Sequence, residues 1–429
     1  MKIMIICFAL SSIICGQNLK LFTLCEGNFG SANSSLWSSS LNGGNMHDII
    51  HWDENSNPLG DIGQSMSIHE TKLYLVMNNS HTIEVMNLAG GAYYESTLQL
   101  PNSSPRYITF NEDKGYISSW NFNAILILNL NNMEIVDTIE IDGKPEQMIN
   151  YENHLYISVP NKSDWTTNDK VLKMRLNDNV IVETFTVEPG ASMMAIHGSS
   201  LFVTSSSYDD MWNQYSGTSS IDLSSGEVLR YNAGQTTSYG SDIFTFQNKI
   251  YQIFDGGLVP LNEDLSPNIS QKIGAYPSLY SADSYEEFLV LGISDYVAPD
   301  TVIVLDNEGV VLEEFIVSAI PGSFEFYNFD LASIEEQKTI PDIASIYNYP
   351  NPFVDNTTFQ FYVGKSEDVK LYILNSMGQR VGTLLNENVL AGLHTFDFTN
   401  EPSVWIPEVS VYESHKTLEP GVYIFVLET

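Results

Sequence analysis

Arg106 is the first candidate for ligand chemistry, because basic side chains are scarce in this sequence. The 429 residues include 53 Asp and Glu but only 18 Lys and Arg, which gives a formal net charge of −35. Arg106 follows Pro105 at the start of a predicted strand, where its planar guanidinium could bind a carboxylate or phosphate through two parallel hydrogen bonds. Alternatively, it pairs with an acid of a neighbouring strand unit, such as Asp61 or Glu146, and ties the fold together. The sequence leaves both interpretations open.

Aromatic side chains in polar loops form the second group of candidates. Rings that converge on one opening stack against planar or sugar-like ligands, whereas a single ring in a loop more often packs that loop. Amide and carboxylate side chains in neighbouring loops would supply hydrogen bonds. The aromatic candidates are Trp120, Trp165, Trp212, Tyr208 and Tyr296, and the polar ones are Asp61, Gln64, Asn79 and Asn121.

Motifs of common catalytic and metal centres are absent from the sequence. It contains no GxSxG, HExxH, P-loop or CxxC motif. His47 and His51 have helical spacing for a shared metal, but in a strand they would lie about 13 Å apart, and their surroundings predict strands. Asp209 and Asp210 could bind calcium, although no EF-hand spacing surrounds them. We therefore expect no catalytic centre, metal or cofactor, and keep a propeller-type lyase or lactonase as the enzymatic alternative.

The loops that carry these candidates recur at a regular interval. Successive aromatic-rich strands place Tyr74, Tyr116, Tyr156, Phe202 and Tyr251 at intervals of 42, 40, 46 and 49 residues. A period of about 40–50 residues with several strands per unit is typical of propeller blades. Seven such strands between residues 17 and 330 predict an all-β fold, a seven-bladed β-propeller.

The two ends of this region predict how the ring closes. The first unit lacks the inner strand that later units have, and SFEFYNF at 323–329 supplies one at the other end. Pairing of 323–329 beside 21–27 would join N- and C-terminal strands in one blade and remove an open edge. Loops on one face are short, whereas those on the other are long and carry the candidates. We expect binding on this long-loop face.

Residues 1–16, MKIMIICFALSSIICG, predict a secretory signal peptide. Lys2 provides the positive end, and the apolar run is shorter than the roughly 20 residues that span a bilayer. A lipoprotein acylated at Cys15 is the alternative. The protein is therefore expected outside the cytoplasm. Its negative charge argues against binding nucleic acid or an anionic membrane face, because both need positive charge on the protein.

Residues 345–429 predict a small β-sandwich after a linker at 331–344. The strings YPNPF, VKLYILNSMGQRV, AGLHTFDF and LEPGVYIFVLET occur in this order. Together they closely resemble the type A sorting domain of the type IX secretion system, a FlgD-like immunoglobulin-type sandwich of exported proteins in Bacteroidetes-like bacteria. The resemblance implies export by that machinery and a secreted or outer-surface location, with attachment to the outer membrane surface as one outcome.

Residues 21–160 also resemble a known family. CEGNFGSANSSL, LGDIGQSM, KLYLVMNNS, PRYITF and GYISSWN resemble YncE-like surface propellers, which include BtuG-like cobalamin-capturing proteins. The resemblance implies a non-catalytic protein that binds a small molecule, glycan or protein at one mouth of the ring, with a structural adhesin or envelope scaffold as the alternative. It nominates Glu26, Asn28, Asp61, Gln64, Asn79, Arg106 and Trp120 as ligand contacts.

Overall fold

The computed structural model describes a defined subset of the chain. This subset comprises residues 19–41, 44–49, 59–89, 92–236, 240–329, 343–349, 356–363, 367–375, 379–389, 392–399, 406–407 and 423–428. The predicted signal peptide with Cys15, His51 and residues 331–342 of the predicted linker lie outside it. Contacts divide the chain into two units, residues 1–87 with 93–330 and residues 331–429 with 88–92.

The described part of the larger unit forms seven antiparallel sheets, numbered here in chain order. The strands of the first four are β1 (Leu19–Cys25), β2 (Ser35–Ser40), β3 (Gly44–Ile49); β4 (Gly63–His69), β5 (Lys72–Met77), β6 (Thr82–Asn87), β7 (Tyr93–Gln99); β8 (Pro105–Asn111), β9 (Lys114–Ser119), β10 (Ala124–Asn129), β11 (Glu134–Glu140); and β12 (Met148–Tyr151), β13 (His154–Asn161), β14 (Thr167–Arg175), β15 (Val180–Thr186).

The last three sheets have the same antiparallel order. Their strands are β16 (Ala191–His197), β17 (Ser200–Tyr208), β18 (Gln214–Asp222), β19 (Val228–Gln235); β20 (Ile243–Phe246), β21 (Lys249–Phe254), β22 (Gly257–Pro260); and β23 (Leu279–Tyr285), β24 (Phe288–Ile293), β25 (Asp300–Leu305), β26 (Val311–Val317). The sixth sheet has three strands, and a 3₁₀ turn at Ile269–Gln271 follows β22.

Strand β27 (Pro321–Asn328) completes the first sheet from the far end of the unit. It pairs antiparallel with β1, and Leu21 lies opposite Phe326 and Thr23 opposite Phe324. This confirms the predicted pairing of N- and C-terminal strands. The first strands of the sheets, β27, β4, β8, β12, β16, β20 and β23, contact one another in this cyclic order, and β23 contacts β27. The result is a propeller-like arrangement around a central cavity.

The middle strands of the sheets are apolar because both of their faces are covered. Ile125 and Ile127 on β10 pack with Ile157 on β13 and Met174 on β14, so a core cluster joins the third and fourth sheets. Full burial of each such side chain contributes roughly 1.5–3 kcal/mol. The outermost strands, in contrast, expose apolar residues such as Val136. Interfaces between sheets therefore hold most of the core.

One predicted long loop is shorter than the sequence suggests. Residues 206–217 are expected as a loop, but β17 extends to Tyr208 and β18 begins at Gln214, which leaves a turn at 209–213. The added segments are rich in Ser, Thr and Tyr, and they pair as a hairpin without the apolar alternation of a strand that borders a core. The fourth sheet shows the same effect, because residues 161–169 are also expected as a loop but β14 already begins at Thr167.

The smaller unit contains two antiparallel sheets. Their strand orders are β28 (Ile343–Tyr349), β29 (Asn356–Val363), β32 (Gly392–Thr399), and β33 (Ile406–Pro407), β31 (Arg380–Val389), β30 (Glu367–Asn375), β34 (Tyr423–Glu428). Phe359, Phe398, Leu371 and Ile373 from both sheets share one core. β30 and β31 pair antiparallel with each other, and β28 begins inside the predicted linker. Within the residues described here, no helix is long and apolar enough to cross a membrane.

Candidate functional site

A central cavity of about 630 Å³ lies between the first strands of the seven sheets. Side chains alternate along a strand, so every second residue of these strands faces the cavity. Glu26 follows β1, Gln64 lies on β4 and Arg106 on β8, and all three line the wall. The structure thus brings together three of the predicted site residues, each from a different sheet.

Arg106 is tied to a neighbouring sheet. Its Nη2 donates to Glu146 Oε1 at 2.6 Å and its Nε to Glu146 Oε2 at 3.0 Å, while its Nη1 donates to Gln64. The side chains of Arg106 and Glu146 are only 14% and 7% exposed. Of the two acids considered as partners of Arg106, Glu146 forms the ion pair and Asp61 does not. The guanidinium is therefore already occupied by a carboxylate of the protein itself.

A column of two tryptophan rings between two cations lies beside this ion pair. The Arg106 guanidinium carbon lies 3.8 Å from the Trp120 ring centroid, and the Trp120 and Trp165 centroids are 5.3 Å apart in an edge-to-face contact. Lys144 Nζ lies 4.3 Å from the Trp165 ring centroid and donates to Trp120 O and Asn123 Oδ1. Each cation–π contact contributes about 0.5–2 kcal/mol. The column holds Trp165 in place although that ring is 54% exposed.

A second aromatic group comes from the first and seventh sheets. Tyr280 lines the cavity, and its hydroxyl donates to Glu26 Oε1 at 2.7 Å. The Tyr296 ring packs edge-to-face on Tyr280, with centroids 5.8 Å apart, and is 42% exposed. Asn28 Nδ2 donates to the Tyr296 carbonyl at 2.9 Å and joins the two loops. Tyr296 and Asn28 thus belong to the cavity mouth, next to Glu26.

Four acids of the cavity wall have raised pKa values. Burial raises the pKa of Glu26 to about 7, against the opposing effects of the Tyr280 hydrogen bond and the Arg106 charge. Burial also raises the pKa of Asp242 to about 7 and that of Asp283 to about 6. Burial and the charge of Asp283 raise the pKa of Glu325 to about 8. Near neutral pH these carboxyls can both donate and accept hydrogen bonds.

Asp61 and Asn79 shape a loop and do not line the cavity. The Asp61 carboxylate accepts hydrogen bonds from Gly30 N at 2.9 Å and from Asn79 Nδ2 at 2.6 Å, and Asp61 N donates to Ser80 Oγ. Asp61 is itself buried. These bonds tie the loop after β1 to the second sheet, so the two residues position Asn28 and its neighbours.

Trp212 lies apart from the cavity, at the turn between β17 and β18. It is 81% exposed, and its described ring neighbour is Tyr208, with centroids 6.3 Å apart. Neither side chain lines the cavity wall. The predicted aromatic candidates therefore fall into two separate groups.

The cavity acids Asp242, Asp283 and Glu325 were not predicted from the sequence, nor was Tyr280. The sequence does contain a signal for two of these acids. Asp283 and Glu325 lie in first strands, and the repeat already places the first strands around a channel. The histidine pair stays untested as a site: His47 lies in strand β3, as its surroundings predict, and His51 is outside the described residues. Among the residues that the structure describes, no three His, Cys, Asp or Glu are placed to hold a metal ion.

Solved structures with a similar fold are propeller-type proteins. A putative 6-phosphogluconolactonase from Bacteroides uniformis ATCC 8492 is 12% identical, covers 73% of this chain and 100% of its own, and has a TM-score of 0.52. The corresponding putative enzyme from Bacteroides fragilis NCTC 9343 is 11% identical over 73% and 98% of the two chains, with a TM-score of 0.51. At these identities the similarity establishes the fold alone.

Sequence comparison assigns the chain to a family without naming an activity. No curated protein matches the sequence. A family model described as a domain of unknown function matches residues 20–354, which is most of the chain.

Proposed function

Since the chain belongs to the DUF5074 family, a domain of unknown function, we propose a function from the site: the protein is an exported, non-catalytic seven-bladed β-propeller that binds a neutral saccharide at the long-loop mouth of its cavity. The seven sheets and the cyclic contacts of their first strands support the blade number.

Exposed rings beside a polar cavity carry this proposal. Trp165 and Tyr296 are 54% and 42% exposed, yet both are held by contacts with other rings. A sugar ring presents apolar C–H groups on its faces and hydroxyl groups at its edge. The faces stack on aromatic rings, and the hydroxyls bond to carboxyl and amide groups such as those of Glu26 and Gln64. The rim and the wall therefore match the two surfaces of one ligand.

The charges at the mouth argue against an anionic ligand. Within the described wall Arg106 is the basic side chain, and Glu146 and Gln64 already occupy it. Lys144 is likewise engaged by Trp120 O and Asn123. A phosphate or carboxylate would have to displace these partners and would meet Glu26 and the other wall acids. A neutral polyhydroxyl ligand avoids both costs.

Calorimetry with short neutral oligosaccharides tests the proposal, with cobalamin as the comparison ligand that the resemblance implies. We expect saccharide binding that Trp165→Ala and Tyr296→Ala each weaken by about tenfold, equivalent to about 1.4 kcal/mol. Leu229→Ala removes an apolar side chain that is 47% exposed on outer strand β19, and it serves as the control with unchanged affinity. Absence of saccharide binding, or binding that neither rim variant weakens, would refute the proposal.

Export is supported by two segments of the sequence. Residues 1–16 have the pattern of a secretory signal, and the motifs between 345 and 429 resemble an immunoglobulin-type sorting domain of type IX secretion. In a host with that machinery, we expect the mature chain to begin after Gly16 and to be accessible to protease added to cells. Deletion of 345–429 should leave the protein protected in the periplasm. Retention of an unprocessed chain inside the cell would contradict this part of the proposal.

Acid–base catalysis is a second candidate, and the environment of Glu26 favours it. A carboxyl whose pKa burial raises to about 7 is suited to donate a proton near neutral pH, and Tyr280 orients it inside the cavity. Chromatography of the same saccharides after incubation with the protein distinguishes the two functions. Products that form with the wild type and not with Glu26→Gln would establish catalysis, whereas unchanged saccharides support simple binding.

A further inference from the structure

We infer that the ligand is an extended polysaccharide chain, held at the cavity mouth and also at a second aromatic platform formed by Tyr208 and Trp212 at the tip of the β17–β18 hairpin. This inference rests on the proposed function and extends it from a short saccharide at one site to a polymer that crosses two neighbouring sheets.

The hairpin that carries the second platform is longer than those of most other sheets, and only the β13–β14 hairpin of the fourth sheet, with eight and nine residues, is similar to it among the described strands. In the second sheet β5 and β6 have six residues each, whereas β17 and β18 have nine. Both hairpins begin at equivalent pairs, Lys72 with Asn87 and Ser200 with Asp222, so the three extra residues lie at the tip. At about 3.3 Å per residue they extend the tip by about 10 Å on the long-loop face. The platform therefore stands above the level of the shorter loops.

The tip is rigidly built although its side chains are exposed. Met211 N and Asn213 N both donate to Asp209 Oδ1 at 2.9 Å, and Trp212 N donates to Asp209 O. Trp212 has a left-handed backbone with φ of 63°, which is uncommon for a bulky residue. Its ring is nevertheless 81% exposed, and Tyr208 beside it is 55% exposed. An ordered backbone thus holds two rings in solvent, where packing gives no reason for them.

The surroundings of the platform favour a saccharide over a lipid bilayer. Asp209 and Asp210 flank the rings, and Asn213 Oδ1 accepts a hydrogen bond from Gln235 Nε2 at 3.2 Å. Carboxylates at the tip would have to lose water in hydrocarbon and would be repelled by anionic lipids. Asp209 already accepts hydrogen bonds from the tip itself, but the Asp210 carboxylate and the Gln235 side-chain amide can bond to sugar hydroxyls. The platform repeats the combination of ring and polar side chain found at the mouth.

The two aromatic groups lie at corresponding turns of neighbouring sheets. Trp165 is at the β13–β14 turn of the fourth sheet, and Trp212 is at the corresponding turn of the fifth. β16, the first strand of the fifth sheet, contacts both β13 and β14. Trp165 also shares the left-handed backbone of Trp212, with φ of 70°. A polymer that leaves the mouth over Trp165 consequently meets the fifth-sheet hairpin next.

Affinity as a function of chain length tests the inference. The probes are cello-, laminari-, malto- and xylo-oligosaccharides from disaccharide to octasaccharide, titrated calorimetrically against the full chain. For the series that binds, we expect wild-type affinity to rise with length. Trp212→Ala should leave the disaccharide affinity unchanged and lower the octasaccharide affinity about tenfold, whereas Trp165→Ala should weaken every length. Trp212→Phe keeps a ring and should retain most of the gain.

The outcomes separate this inference from the proposed function. Two results together would overturn the second platform and leave the proposed function standing. They are disaccharide binding that depends on Trp165 and octasaccharide binding that Trp212→Ala does not weaken. No binding at any length would overturn both. Binding to neutral phosphatidylcholine vesicles that Trp212→Ala abolishes, without a length-dependent saccharide effect, would assign the tip to a membrane and also overturn the inference.

Discussion

Removing the charge of Glu146 should destabilise the larger unit more than removing the charge of an exposed acid. Arg106 reaches Glu146 through two nitrogens, at 2.6 and 3.0 Å, and the two side chains are only 14% and 7% exposed. Solvent screens such a pair weakly, and loss of one partner leaves a buried charge without compensation. The expected cost for a broken buried pair is about 3–5 kcal/mol.

Glu146→Gln tests the charge most directly, because it removes the negative charge but preserves the size of the side chain and one acceptor oxygen. We therefore expect a loss near the lower end, about 3 kcal/mol in the free energy of unfolding, measured by urea denaturation at neutral pH. Asp178→Asn is the matched control: Asp178 also binds an arginine, Arg175, through two oxygens, but the side chains of that pair are 46% and 43% exposed. The control should leave the urea midpoint unchanged.

A double variant tests whether the cost comes from the unpaired charge. Arg106→Met with Glu146→Leu removes both charges and keeps apolar volume, and such replacements are often neutral for stability. It should recover most of the stability that Glu146→Gln loses. If Glu146→Gln and Asp178→Asn shifted the urea midpoint equally, the buried tie between the third and fourth sheets would be refuted as a source of stability.

Two further predictions concern the cavity wall and a tight turn. The pKa of Glu325 is raised to about 8, so its contribution to stability is fully present below its unfolded pKa and is lost as the pH rises through about 8. The urea midpoint of the wild type should therefore fall between pH 5 and pH 8.5. Glu325→Gln should make this fall smaller, whereas Glu140→Gln, at an exposed position, should not change it. Gly190→Ala would place a Cβ 1.9 Å from Ser206 O at φ of 83°, whereas the Cβ of Gly198→Ala meets nothing within 4 Å at φ of 59°. We expect Gly190→Ala to lower the free energy of unfolding by more than about 3 kcal/mol and Gly198→Ala to lower it by about 1 kcal/mol. Equal thermal midpoints for the two variants would contradict this.

Sequence periodicity predicted the strands and the pairing at the seam, because each depends on local patterns. β27 was found from the absence of an inner strand before β1, and the spacing of Tyr74 and Tyr116 follows one repeat. The sequence could not decide whether Asp61 or Glu146 is the partner of Arg106. Asp61 precedes the second sheet and Glu146 precedes strand β12 of the fourth, and both sheets adjoin the third sheet, which carries Arg106. Only the folded backbone brings Glu146 to the guanidinium and directs Asp61 towards Gly30.

Candidates in similar loops separate in space because the loops belong to different sheets and pack differently: Trp165 contacts Trp120, whereas Trp212 contacts Tyr208. Trp165 and Trp212 follow equivalent second strands, and the sequence assigns both to one mouth. Serine-rich segments around 206 and 216 have no apolar alternation, so their pairing as strands is invisible to a pattern that depends on burial. The cavity acids were missed for a related reason: an acid such as Asp283 in a first strand signals a polar channel only after the ring is known to close.

The Arg106–Glu146 pair links the stability of the larger unit to the order of its rim. Glu146 fixes the guanidinium, the guanidinium stacks on Trp120, and Trp120 supports Trp165 from its edge. A ring that is already fixed loses little conformational entropy when a ligand stacks on it, so more of the contact energy appears as affinity. Under the proposed function, we therefore expect the base that was conspicuous in the sequence to support binding by ordering the aromatic surface, and not by contacting the ligand.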